Sequence, residues 1–276
     1  MNPLYGRERI IGYGLMALAV LVIVGPFAWI FMNSLKYQVA IYTGAWVFTP
    51  TWSNYMDVLF SRRSDFAHNV RNSLIVAGVS TALVLVIGTL AAYSLHRFRW
   101  AAWISSGFLG WTLIFHTIPV MTLLGPWYVV FRQLGLYDTL TALIITHVTM
   151  NLPMTIWLMM SFFKDIPLEL EEAAFVDGCR PLTAFWWITL RLAVPGLIAA
   201  GILAFIFSWK EFSIALNLTS RATATVPVAI ARFAQQHEVQ HAQMAAAAMI
   251  ATVPAIILMF LGQRFVVRGL TLGAVK

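Results

Sequence analysis

Residues Glu169–Leu190 read ELEEAAFVDGCRPLTAFWWITL, between long apolar runs on both sides. The stretch holds Glu169, Glu171, Glu172 and Asp177, four of the chain's eleven acids. Pro167, just ahead, suits the first turn of a helix, where a missing N–H removes no bond. The three glutamates then fall where the helix dipole favours negative charge. Ala173 and Ala174 are small, and Gly178 can take the left-handed conformation that ends a helix. Pro181 starts a second short helix that runs into Ile188 and Leu190. The loop, residues 165–191, therefore reads as two short helices meeting at a bend, with small residues that let another protein approach closely. A helix lying on the membrane surface is the competing reading. Its polar face would prefer Lys and Arg, whereas the charges here are mostly acidic.

The flanking runs decide the fold class. Of 276 residues, 60% are hydrophobic and 11% charged, and the mean hydropathy is +0.79. A soluble domain is about one quarter charged. Several runs exceed the roughly 18 residues that mark a membrane span. The expected fold is all-α, a polytopic membrane protein with six transmembrane helices near Ile10–Met32, Leu74–Leu95, Ala102–Leu124, Leu140–Phe163, Leu192–Leu216 and Met244–Val267. Residues 1–276 read as one transmembrane domain. The first run follows Arg7 and Arg9, is too long for a signal peptide and lacks a small-residue cleavage site, so it reads as a retained span. The net charge of +7 points to cytoplasmic loops rather than nucleic acid. With both termini inside, the short inner loops hold Arg97, Arg99, Lys164, Arg180 and Arg191, and the outer loops are longer and more sparsely charged. Cys179 is the only cysteine, which excludes an intrachain disulfide. Pro26, Pro119, Pro153 and Pro254 lie inside spans, either as packing kinks or as bends in a bundle lining a path.

Glu172-Ala173-Ala174, three residues, Gly178, nine residues, then Ile188 and Leu190 resembles the EAA loop of ABC importer permeases. The extended form IPLELEEAAFVDGCRP, from Ile166 to Pro181, is similar to the carbohydrate-uptake branch and its second, maltose-type permease. TPTWSNY at Thr49–Tyr55, NSLIV at Asn72–Val76, AYSLHRFRW at Ala92–Trp100, LGLYDT at Leu134–Thr139, PVAIARF at Pro227–Phe233 and the terminal GLTLGAVK agree with it. One position departs: the family usually has proline directly after the leucine, and this chain has Arg191, with Pro195 four residues on. The resemblance implies a permease subunit of an ATP-driven, binding-protein-dependent sugar importer in a bacterial-type cytoplasmic membrane. Its implied partners are a homologous second permease, a dimeric ABC ATPase and an extracytoplasmic substrate-binding protein. Glu169, Glu172, Ala173, Ala174, Asp177, Gly178 and Pro181 would form the surface that docks the ATPase. The same architecture carrying polyols or glycerol phosphates is the alternative. No G-x-x-x-x-G-K-[ST] phosphate loop occurs in the sequence. ATP and Mg are therefore expected on the partner ATPase, with no catalytic residue, cofactor or metal in this chain.

Two further patterns carry chemistry. His237-Glu238-Val239-Gln240-His241 matches H-E-x-x-H, which on a helix could hold zinc with Glu238 as base. No His, Asp, Glu or Cys follows His241 to supply a third ligand, so a membrane metalloprotease is the lesser reading. Within the spans, polar residues are costly and often functional. His116 precedes Pro119, while His147, Asn151 and Thr155 recur every four residues on one helix face. With Trp209 these are the candidate substrate-pathway residues, interhelical hydrogen bonding being the alternative. Lys210 and Glu211 read as an interfacial ion pair. A secondary transporter would show inverted repeats with matching interrupted helices, and none is visible.

Overall fold

The computed structural model describes residues 3–62, 64–98, 100–234 and 239–272, and among these there is helix and no strand. In chain order the helices are α1 (Pro3–Ser34), α2 (Gln38–Tyr42), α3 (Ser53–Phe60), α4 (Phe66–Arg97), α5 (Ala102–Thr117), α6 (Val120–Gln133) and α7 (Leu140–Lys164). Then follow α8 (Glu169–Val176), α9 (Pro181–Ala184), a π-helical turn at Phe185–Thr189, α10 (Leu190–Leu192), α11 (Val194–Lys210), α12 (Ser213–Leu218), α13 (Val226–Arg232) and α14 (His241–Leu272).

The long segments of α1, α4, α7 and α14 are each apolar enough to cross a membrane unbroken. The third and fifth spans are bent pairs: α5 and α6 meet at 97°, and the α9–α10 segment meets α11 at 72°. The six expected spans are thus present, but the third and fifth are not straight. Ile118 is extended at φ −67 and ψ 123, the conformation that a following proline imposes on its neighbour, so α5 stops there and Pro119 caps α6. Pro26, Pro153 and Pro254 instead sit inside continuous helices. In the fifth span Ala193 breaks the helix and Pro195 occupies the first turn of α11. Arg191, the position that departs from the resemblance, lies in α10. Its guanidinium lies 4.3 Å from the Trp187 ring centroid, a cation–π contact one turn back.

The chain forms two compact units, Met1–Ala67 with Ala229–Val253, and His68–Val228 with Pro254–Lys276. In the first, Asn54 Nδ2 donates to the carbonyls of Ser34 and Lys36 and ties α3 to the end of α1. Gln38 accepts from the Ala242 N–H at 3.0 Å, joining α2 to the start of α14. In the second, α7 is the central helix, with more than half of its apolar window buried. Leu143 and Met150 pack with Val76, Leu124, Phe131, Ile214 and Leu218 around its first half. Ile156, Met159 and Phe163 pack with Ala92, Ile166, Phe185 and Ala200 around its second. Gly196 lets α11 close on α7, because a Cβ there would stand 2.5 Å from the Phe162 ring.

In the LGLYDT turn several residues have a definite structural task. Gly135 at φ +68 ends α6, and the Thr139 side chain caps α7 by accepting from the Ala142 N–H. Between them Asp138, at φ +58, accepts from the Ser220 N–H and from the Ser220 and Thr223 hydroxyls. Burial works against its ionisation, but these donors outweigh it and hold the carboxyl below the usual aspartate range.

Candidate coupling site

The bent loop has the expected form. Helix α8 begins in the turn after Pro167 and ends at Gly178, whose φ of +84 is the left-handed value its position predicts. The Cys179 N–H then reaches back to the Ala174 carbonyl at 2.9 Å and the Gly178 N–H to Phe175, which closes the last turn. Pro181 opens α9, and the π-helical turn carries the chain on to the bilayer segment.

One glutamate of the three is unlike the others. Glu169 and Glu172 are exposed, whereas Glu171 is 2% exposed. Its Oε1 lies 2.9 Å from Arg97 Nε and accepts from the Thr189 hydroxyl at 2.6 Å. Its Oε2 accepts from the Tyr93 hydroxyl at 3.0 Å. Arg97 Nη2 also donates to the Ile166 carbonyl at 3.1 Å. A single carboxylate therefore fastens α8 to the end of α4 and to the π-helical turn, with each partner polar atom on it. The rings of Phe163 and Phe185 flank Tyr93 beside this node, with centroids 5.8 and 4.5 Å from its own. Charge-assisted bonds of this kind are about twice as strong as neutral ones, and removing one member strands a charge in the interior.

This node was not among the residues singled out from the sequence. Glu171 and Ala174 are three apart and share the inward face of α8, a signal that the run of three acids conceals. The same geometry corrects the expected docking face. Ala174 is buried at 6%, so of the two alanines only Ala173 lies outside, together with Glu169, Glu172, Asp177, Gly178 and Pro181. Val176 and Leu182 are also exposed, at 88% and 67%, and add an apolar element to that face.

The candidate pathway residues lie elsewhere in the same unit. His147, Asn151, Thr155 and Trp209 are buried within the chain, and His116 is exposed. His147 Nδ1 is 2.5 Å from the Ser208 hydroxyl, which is 3.1 Å from the Ser80 hydroxyl. Asn151 donates to the carbonyl of His147 one turn back. His147, Ser208 and Ser80 thus form a polar seam joining α7, α11 and α4, while Asn151 and Thr155 border a small pocket against Ala200 and Ala204 of α11. Glu211 also departs from expectation. Its carboxylate turns inward, 3.7 Å from His147 Nε2, and accepts from the N–H groups of Ile214 and Ala215 at the start of α12. It caps a helix rather than pairing with Lys210. His237 and Glu238 of the H-E-x-x-H pattern lie outside the described residues; His241 opens α14 with its ring edge-on to Tyr42.

Residues 84–272 match the family described as "Binding-protein-dependent transport system inner membrane component". The chain belongs to this family of ABC importer permeases and is a multi-pass inner-membrane protein. It is 36% identical over 271 residues to the trehalose transport system permease protein SugB of Mycobacterium tuberculosis, covering 97% of this chain and 94% of that one. It is 34% identical over 272 residues to the trehalose/maltose transport system permease protein MalG of Thermococcus litoralis, covering 97% and 95%. Its fold matches a chain of a bacterial ABC transporter involved in the import of the acidic polysaccharide alginate, with a TM-score of 0.80 at 22% identity over 96% of this chain and 98% of that one. The resemblance read from the EAA loop is borne out.

Proposed function

We propose that this chain is one of two permease subunits of an ATP-driven sugar importer, and that Glu169–Pro181 is the element through which a separate ATPase moves it. The observation that carries this reading is the division of labour among the glutamates. Glu171 fixes the loop to the transmembrane helices from inside, and Glu169, Glu172 and Ala173 leave a charged, closely approachable face outside. A loop anchored in this way passes force on as a rigid body, because its anchor and its outer face belong to one short helix. The relatives that carry trehalose, maltose or sulfoquinovosyl glycerol support a saccharide-type substrate delivered by an extracytoplasmic binding protein. ATP and Mg belong to the partner ATPase in this reading, and both termini face the cytoplasm. His147 and Asn151 then hold α4, α7 and α11 together as they move, rather than touching the sugar.

The test is isolation of the intact complex, followed by a screen of its binding protein against disaccharides, polyols and glycerol phosphates. Uptake of a saccharide with ATP turnover is expected. Uptake of polyols or glycerol phosphates alone would move the substrate class. An impermeant thiol reagent should label Cys179 in opened membranes and not in intact cells; labelling of intact cells would reverse the orientation.

A further inference from the structure

We infer that His147 is a positioning residue: its Nε2–H holds the Glu211 carboxylate, and through it the start of α12 and the crossing 219–225 that leads to α13. The side chains of His147 and Glu211 are 0% and 8% exposed within this one chain, so their contact needs no other subunit to cover it. His147 Nε2 has no hydrogen-bond partner among the described residues, and Glu211 Oε2 lies 3.7 Å from it. A lone pair on Nε2 would face that carboxylate and be repelled, whereas an N–H is attracted, the more strongly in a buried site. The proton therefore sits on Nε2. Nδ1 then accepts from the Ser208 hydroxyl at 2.5 Å, and Ser208 accepts from Ser80 at 3.1 Å. The donors run in one direction, from Ser80 through Ser208 and His147, and end on Glu211.

What Glu211 carries gives the contact its consequence. Helix α11 stops there, because Glu211 is extended at φ −66 and ψ 126, so the axis of α11 does not set the direction of α12. The Glu211 oxygens do, by accepting from the Ile214 and Ala215 N–H groups at 2.8 and 3.1 Å. At the other end of α12 the Leu218 carbonyl accepts from the Asp138 N–H at 3.1 Å. Beyond it Asn72 donates to the Ala222 and Ala224 carbonyls, and Ser73 accepts from the Val226 N–H. Helix α7 carries His147 in its first half and runs at its end towards the loop fastened by Glu171. A shift of α7 driven at that loop then reaches the crossing at the far end of the same helix through named contacts. Ile214 and Leu218 also pack into the apolar cluster around α7, and packing alone would hold α12 whichever nitrogen of His147 bears the proton. The two roles separate by which nitrogen matters.

Asparagine places its amide near the position of Nδ1, and glutamine near that of Nε2. Hydrogen exchange is read at α12 in the full chain, with whatever subunits co-purify, in lipid nanodiscs. His147→Gln still reaches Glu211 and should keep α12 protected. His147→Asn reaches only Ser208 and should speed exchange at α12 about tenfold, the loss expected for one hydrogen bond to a charged group, while α8 stays protected. Saccharide uptake per ATP should follow the same order. Equal behaviour of the two variants, or a milder effect of asparagine, overturns the inference, because packing or the Ser208 contact then positions α12. Ser208→Ala leaves the Nε2 side intact and should keep α12 protected; lost protection counts against the inference equally. If the His147 variants do not assemble, nitrogen-15 NMR of histidine-labelled wild type decides. The imidazole whose Nδ1 shifts in Ser208→Ala should carry its proton on Nε2, and a bare Nε2 overturns the inference. Only the uptake measurement rests on the importer reading: wild type that imports no saccharide would refute that reading, whereas the exchange and NMR results judge His147 by themselves.

Discussion

Replacing Glu171 by glutamine takes one charge out of a closed node and leaves the other behind. Arg97 and Glu171 are 8% and 2% exposed at the side chain, and their contact is 2.9 Å. Breaking such a pair by removing one partner costs about 3–5 kcal/mol. Glutamine keeps an oxygen that can accept from Tyr93 or Thr189, so the lower end applies, about 3 kcal/mol. That lowers the docked fraction of α8 relative to the released one by roughly 100-fold. The penalty falls mainly on the loop and the end of the second hydrophobic cluster that Tyr93, Phe163 and Phe185 share with the node, while the cluster around the first half of α7 is untouched. Arg97→Gln should be as harmful, because it also removes the donor to the Ile166 carbonyl. The double variant should recover much of the loss, as neither charge is then stranded, though not the Ile166 bond. The assay is a double-mutant cycle. It measures hydrogen exchange at α8, ATPase association, and substrate imported per ATP hydrolysed. Near-normal coupling in both single variants, or a double variant no better than the worse single one, would refute the latch.

Two other substitutions test separate elements. Gly178→Val should be strained by about 1–3 kcal/mol at φ +84, although the space around it is open. Gly178→Asn should be tolerated better, because asparagine visits that conformation, and ATPase co-purification compares them. Asp138→Asn keeps a side chain suited to φ +58 and removes the charge. Because the folded carboxyl titrates below its unfolded value, its contribution is present above about pH 4 and is lost as pH falls through the lower folded value. Thermal melts should therefore separate wild type from the variant at pH 7, by about 1 kcal/mol, and converge on acidification; a gap that persists in acid contradicts the assignment.

The spans were legible because long apolar runs need no tertiary information, and the same holds for the bend at Gly178, which only a residue free of Cβ strain fills comfortably. The direction of the third span after Pro119 was not, since the sequence announces a break but not its 97° angle. The role of Glu171 was hidden for a different reason. Its partner Arg97 lies 74 residues away, and local periodicity cannot pair charges across such a distance. His147 and Asn151 were correctly seen to share one face, but a face does not reveal what covers it. Here Ser208 and Ser80 meet its His147 end, and Asn151 and Thr155 border a small pocket against α11.

The central claim is that the outward face of α8 receives the ATPase while Glu171 holds the inward face. Glu172→Lys reverses a charge that is exposed and has no part in the Arg97 node, so the loop should keep its shape and lose its partner. The direct measurement is ATP hydrolysis and substrate uptake by the reconstituted complex carrying this change, with α8 exchange protection as the control for loop structure. Native protection with lost association or uncoupled hydrolysis is the expected result. Native protection with normal, fully coupled transport would mean that the power enters this protein somewhere else.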